Sequence, residues 1–344
     1  MADLSTTYMG LKLKSPIIAG SSGLMNSLEN LKQFEEAGAG AVVLKSIFEE
    51  QIQLETQKFI KSGDENAQQW NNTFQGIVNS QSHYYDEALE YINNFAKEHT
   101  LDQYLDFIRE AKKNLTIPVI ASIHCVSNYD WSYFAKRIQD AGADALELNV
   151  YVLPSDFNRS GVENEQVYFD IIEAVKKQVT IPISLKIGYY FSSIVNTVQK
   201  LSETGVSALV MFNRPYNPDI DINNLKLTSN YLLSNPEEYA RTLRWVAILS
   251  GKLKCDIAAS SGIHSFEPVV KQLLAGATVI QVASVIYIHG IDHIRQLVSG
   301  LNGWMDEHKY ACISDFRGKL NQQNIENPAV YERVQFMKLY SKIE

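Results

Sequence analysis

Short apolar runs recur along the chain, separated by stretches with helical spacing. The runs are Pro16–Gly20, Ala41–Lys45, Ile117–Ile123, Ala145–Asn149, Ile181–Ile187, Ala208–Asn213, Cys255–Ser260 and Val279–Ala283. Most are nearly continuous in apolar residues, as expected of strands covered on both faces of a parallel sheet. Helical spacing appears over 28–37, 131–141, 162–178, 194–204 and 236–249. It appears again from Ser265, with Pro268 in the first turn, to Ala275. Ala37-Gly-Ala39, Ala141-Gly-Ala143, Thr204-Gly-Val206 and Ala275-Gly-Ala277 each close a helix and open a strand. The glycine falls where a helix C-terminus takes a left-handed residue.

Eight such units predict an α/β fold, a (β/α)8 TIM barrel over residues 1–344 as a single domain. Tyr8–Leu13 reads as an N-terminal hairpin with Gly10 in its turn. Two weakly patterned stretches, 46–82 and 214–233, predict long loop excursions at the C-terminal face of the barrel, the first resembling a lid.

Composition narrows the class. The chain has 344 residues, 45% hydrophobic and 20% charged, with a net charge of −8. An acidic balance argues against a nucleic-acid partner. Cys125, Cys255 and Cys312 lie far apart, as free thiols in a reducing compartment would. No basic leader and no long apolar segment is seen, so no membrane partner and a cytoplasmic location are expected.

Active residues of such a barrel cluster at the strand C-terminal ends. Those ends hold Gly20-Ser21, Lys45-Ser46, His124-Cys125, Asn149, Lys186, Asn213-Arg214, Ser261-Gly262 and Ala283-Ser284. The last two pairs join small residues and free amides to the start of a helix, a setting suited to phosphate. A Ser-capped strand–turn–helix is the plainer explanation. Lys45 and Lys186 end apolar strands, where an ammonium requires a compensating partner. Each lysine answers to an ion pair with a neighbouring carboxylate, and each Asn to loop capping. Together they suit a phosphorylated cofactor with an electron-rich ring.

At these residues the chain resembles the dihydroorotate dehydrogenase family, FMN-dependent (β/α)8 barrels, and especially its soluble class 1 branch. The resemblance runs nearly end to end. It is carried by Leu11–Pro16 with Gly20-Ser21, Leu44-Lys-Ser46, Leu146-Glu-Leu-Asn149, Leu185-Lys186, Ser261-Gly-Ile263, Leu274–Thr278 and Gln281–Ser284. Cys312–Leu320 resembles the family's C-terminal helix segment.

The resemblance implies that FMN contacts Gly20, Ser21, Lys45, Ser46, Asn149, Lys186, Ser261, Gly262, Ala283 and Ser284, with Ser234 beside them. It implies that Lys186 stabilises negative charge on the reduced ring. Lys45, Asn149 and Asn213 would face the substrate. No metal is implied. Family analogy favours a homodimer.

Three places depart from the family pattern, one of them Arg214, which stands where the family has a small polar residue. A Cys or Ser follows the strand-four Asn in a pattern like Asn-x-Ser-Cys-Pro-Asn and takes the substrate proton; here that position is Val152. The substrate loop is replaced by Asn71-Asn-Thr-Phe-Gln-Gly76. Three readings follow. The chain oxidises dihydroorotate with a relocated base, Cys125 foremost, then Ser127 or Ser155. Alternatively, it is an FMN oxidoreductase for another small anionic substrate, with Arg214 gripping its carboxylate; a lid salt bridge from Arg214 to Asp219 or Asp221 is the plainer explanation. The third is a flavin-binding homologue without turnover, or a barrel with Lys186 as a Schiff-base nucleophile. The first leads. With no clustered Cys for an iron–sulfur centre, fumarate or another small acceptor suits this chain alone better than NAD.

Overall fold

The computed structural model describes residues 2–48, 101–125, 128–214, 217–228 and 232–332. Eight parallel strands close into a barrel. They are β1 Ile17–Ala19, β2 Ala41–Val43, β3 Val119–His124, β4 Ala145–Asn149, β5 Ile183–Ile187, β6 Ala208–Met211, β7 Asp256–Ser260 and β8 Val279–Val282. Each pairs with the next, and β8 pairs with β1 to close the ring. A two-residue extension, Ile47–Phe48, also pairs with the end of β3.

The helices follow in register. They are α1 Leu28–Glu36, α2 over 101–114, α3 Asn128–Asp140, α4 Gly161–Lys176, α5 Ile194–Glu203, α6 Tyr239–Leu249, α7 Phe266–Ala275, α8 Ser284–His289 and α9 His293–Glu307. The chain is therefore the (β/α)8 barrel that its pattern predicts. β3 and β5 begin one residue after Pro118 and Pro182, because a proline has no N–H to give the ladder. Among the described residues, no helix is long and apolar enough to cross a membrane.

The N-terminal hairpin, Thr6–Tyr8 with Leu11–Leu13, turns through Met9 and Gly10, both at positive φ. A two-residue turn of this kind matches the twist of the strands it joins. Tyr8, Met9 and Leu13 pack with Ile18, Ala41, Val43, Ile120, Ala145, Ala208, Val210, Ala258 and Val279. These strand residues alternate along each strand, so they form the barrel's inner apolar layer, and the hairpin plugs its lower end. The same alternation puts Ser122, Glu147, Ser184 and Gln281 one layer higher, all buried. Burial, and behind it the Glu147 carboxylate, pushes the Tyr8 phenol well above its ordinary pKa.

The second expected excursion contains a small hairpin, Asp219–Asp221 with Lys226–Thr228, not irregular chain alone. Most of the first, with Asn71–Gly76, lies outside the described residues, as does Ser127. The segment Cys312–Leu320 corrects the resemblance. It holds one short turn of helix, Ile313–Asp315, and then non-helical turns. Asp315 accepts from the Ala311 and Cys312 N–H groups at 2.9 Å each, and Gly318 at φ +76° turns the chain away.

Candidate functional site

A cavity of about 290 Å³ opens at the C-terminal mouth of the barrel. Its walls include Ser21, Lys186, Asn213, Arg214, Ser234, Ser261, Gly262, Ala283 and Ser284, nine of the residues singled out from sequence. The strand ends bring them together because each leaves the ladder at the same rim.

One end of the cavity is built from backbone. After β7, Ser261 and Gly262 both take left-handed conformations, φ +76° and +73°. A Cβ on Gly262 would meet the Tyr239 nitrogen at 2.2 Å, so only glycine lets this turn lie against α6. The N–H groups of Gly262, Ile263, Ala283 and Ser284 have no acceptor among the described residues. Ser284 Oγ accepts from the Ser234 N–H at 3.0 Å and ties the two rims together. Four spare amides around one hollow fit an anion with several oxygens, such as a phosphate. Ser22 and Gln281 also line the cavity, and their buried Oγ and Oε1 have no hydrogen-bond partner among the described residues.

The opposite end carries side-chain amides and hydroxyls. Ser21 Oγ accepts from the Ser46 N–H at 2.9 Å, and the two hydroxyls lie 3.1 Å apart. Ser46 Oγ is 2.8 Å from Ser122 Oγ and 3.5 Å from the donating Asn149 Nδ2. Asn213 Nδ2 then donates to Asn149 Oδ1 at 2.6 Å. Ser46 and Asn149 thus stand one hydrogen bond behind Ser21 and Asn213. Gly20 donates to the carbonyl of Val282, itself in the cavity wall, and a Cβ there would meet that oxygen at 3.2 Å. Lys45 is half-buried beside Ser46, with no ion-pair partner among the described residues.

Lys186 does have a partner. Its ammonium lies 3.9 Å from the Glu147 carboxylate, which is fully buried and also accepts from Gln281 Nε2 at 2.7 Å. Glu147 is the residue that the strand pattern signals most directly, an acid in an otherwise apolar strand.

Arg214 is engaged too. Its Nε and Nη2 donate to Glu238 at 3.1 and 3.2 Å, and its Nη1 to the Leu232 carbonyl at 3.1 Å. Cys125 is not among the lining residues; it packs in the large apolar cluster with Trp131 and Phe134. Ser155 sits exposed on the loop after β4. Two histidines near the site carry no sequence signal beyond their position. His124 meets the Asn149 carbonyl, and His264 lies 3.1 Å from Ser234 Oγ.

A (β/α)8 barrel with spare amides at the ends of β7 and β8 and a lysine at the end of β5 presents its polar groups at the mouth, where barrel enzymes carry their active sites. The sequence model of the dihydroorotate dehydrogenase family matches residues 3–305, and the chain belongs to that family of CH–CH oxidoreductases. A Thermoplasma acidophilum protein named dihydroorotate dehydrogenase B (NAD(+)), catalytic subunit, is 26% identical over 321 residues. That match covers 92% of this chain and 99% of the relative. A Methanocaldococcus jannaschii protein of the same name is 24% identical, covering 88% and 94%. An Aeropyrum pernix protein, provisionally named dihydroorotate dehydrogenase A (fumarate), is 26% identical, covering 92% and 97%.

Proposed function

We propose that the chain is a cytoplasmic, FMN-dependent dihydroorotate dehydrogenase of pyrimidine biosynthesis, built as a single barrel domain. Family membership and the spare amides at the ends of β7 and β8 support this reading together. The observation that carries it is the pairing of an amide cradle with a buried Lys–Glu couple in one cavity. FMN, when bound, supplies the hydride acceptor.

Ser261, Gly262, Ala283, Ser284 and Ser234 hold the phosphate. Gly20, Ser21, Lys45, Ser46, Asn149 and Lys186 hold the ring. Lys186 brings a positive charge to the cavity, fixed by Glu147, and opposes negative charge gained on reduction. Lys45, Asn149 and Asn213 orient the substrate; the Asn149–Asn213 bond fixes which amide atoms each can offer it. Arg214, held against Glu238 and the Leu232 carbonyl, brings a guanidinium to the rim where a substrate carboxylate would approach. The acceptor is fumarate or another small molecule. A homodimer is the assembly that family likeness favours, and the relatives' name of catalytic subunit adds a second kind of chain as a partner.

A second reading, oxidation of another small anion by the same flavin, is favoured by one feature. Val152 at the usual base position has no proton-accepting side chain, and its N–H donates to Tyr168 at 3.3 Å. Anaerobic stopped-flow absorbance separates the two. FMN-loaded protein mixed with dihydroorotate bleaches under the first reading. Bound flavin that dithionite reduces but dihydroorotate does not would leave the second. Failure to bind FMN at all removes both.

A further inference from the structure

The loop after β4 has Val152 at the usual proton-acceptor position, and the end of β3 carries an imidazole, His124. Ile120 faces the inner apolar layer, and Ser122 bonds inward to Ser46. His124, two residues on, leaves the strand on that same face at the mouth of the barrel. Cys125, the next residue, falls on the opposite face, in the apolar cluster.

The His124 ring is fixed. Its Nδ1 lies 2.6 Å from the Asn149 carbonyl oxygen. A carbonyl only accepts, so Nδ1 carries the proton and Nε2 keeps the lone pair. Nε2 has no hydrogen-bond partner among the described residues. Phe48 and Trp131 flank the ring, with centroids at 5.1 and 6.3 Å. The residue it leans on, Asn149, extends its side chain through Asn213 to the cavity wall. The imidazole is not in the cavity wall itself; it stands behind Asn149, whose side chain bonds the wall residue Asn213. Among side chains, imidazole is the one that ordinarily exchanges protons near neutrality.

We propose that His124 is the general base of this chain, an assignment that rests on the dihydroorotate dehydrogenase reading. Nε2 takes the proton from the substrate carbon next to the one that gives up a hydride. The electron pair of that broken C–H bond becomes the new C=C bond as the hydride leaves for the flavin. Two C–H bonds break: the proton forms a new bond at Nε2, the pair it leaves becomes the C=C π bond, and the other pair departs with the hydride to the flavin, the two-electron oxidant. The imidazolium keeps its Nδ1–H bond to the Asn149 carbonyl, which stabilises the added charge, and then returns the proton to solvent.

The test uses the FMN-loaded full chain and two variants. His124→Asn keeps a donor for the Asn149 carbonyl but loses the basic nitrogen; His124→Ala loses both. Three quantities are read: bound FMN, orotate affinity from the shift in flavin absorbance, and the rate of anaerobic bleaching by dihydroorotate. FMN content and orotate affinity are expected within about threefold of the parent, because neither requires proton transfer. Bleaching is expected to slow by about 10²–10⁴-fold in both variants, the usual worth of a positioned base. Added imidazole is expected to restore at least about tenfold in His124→Ala, an effect that a structural role would not produce. Bleaching of His124→Asn at the parent rate, or a loss that only follows FMN or orotate affinity, overturns the assignment. A parent protein that binds FMN but is not bleached by dihydroorotate overturns the functional reading itself, before any variant is made, and the base with it.

Discussion

The Lys186 ammonium stands 3.9 Å from a Glu147 carboxylate that has no solvent exposure. The lysine is itself only 13% exposed. Each charge is the other's main compensation, because among the described residues Glu147 Oε1 has no hydrogen-bond partner and Gln281 serves only Oε2. Breaking such a pair from one side strands a buried charge, typically at a cost of about 3–5 kcal/mol. Lys186→Ala is therefore expected to lose stability as well as rapid flavin reduction. Lys186→Met with Glu147→Gln removes both charges. Chemical denaturation should show the double variant recovering most of the lost stability, while flavin reduction stays slow. A double variant as unstable as the single one would show that the pair does not act as a unit.

Gly262→Ala tests the amide cradle. The residue sits at φ +73°, where a side chain costs about 1–2 kcal/mol, and its Cβ would press on the backbone of α6. The turn must move, and its spare N–H groups with it. Expected outcomes are a lower melting temperature and FMN affinity reduced by about tenfold or more. Measured by flavin fluorescence, an unchanged affinity would separate the cradle from the cofactor.

The Arg214–Glu238 contact separates two roles for the arginine. If Arg214 only holds Glu238, then Arg214→Gln and Glu238→Gln should have similar small effects on KM for dihydroorotate. If Arg214 also grips the substrate carboxylate, Arg214→Gln alone should raise KM by about tenfold, the loss of one charge-assisted bond. The expected result is the second pattern. Equal KM values for the two variants would refute it.

His264 links pH to stability at the phosphate end. Burial, the largest influence, holds its imidazole below the ordinary 6.5, while a backbone hydrogen bond with Ser234 works the other way. Its Nε2 lies 3.1 Å from Ser234 Oγ, and its carbonyl meets His293 Nε2 at 2.9 Å. Glu238, His289 and His293 are the charged or titratable groups acting on it. A group with a depressed folded pKa binds fewer protons folded than unfolded. Its stabilisation is complete above about pH 6.5 and is lost as pH falls toward the folded value. Urea midpoints at several pH values between 7.5 and 5 should fall more steeply for the parent than for His264→Asn. Parallel curves would exclude the linkage.

The barrel was legible because periodicity is local. Ala145–Asn149 was read from sequence with the bounds that the structure gives it, and Gly276 occupies the left-handed position, φ +111°, that its place after α7 predicts. The hollow of spare amides was legible for the same reason, since consecutive residues after β7 and β8 form it. The substrate end was not. Arg214 was expected to grip a substrate carboxylate or to pair with Asp219 or Asp221, yet Glu238, 24 residues away, takes two of its nitrogens.

The sequence by itself determined the alternation of strands and helices, the strand ends that carry chemistry, and the family. These follow from spacing, glycine placement and short motifs. Tertiary structure alone decided that Glu147 lies beneath Lys186, that Asn213 bonds Asn149 across 64 residues, and that His124 turns its Nε2 away from the Asn149 carbonyl while Cys125 is buried. The physical reason is barrel closure. It brings strand ends distant in sequence to one rim, and there a lysine's counterion or a histidine's tautomer depends on neighbours that no local pattern encodes.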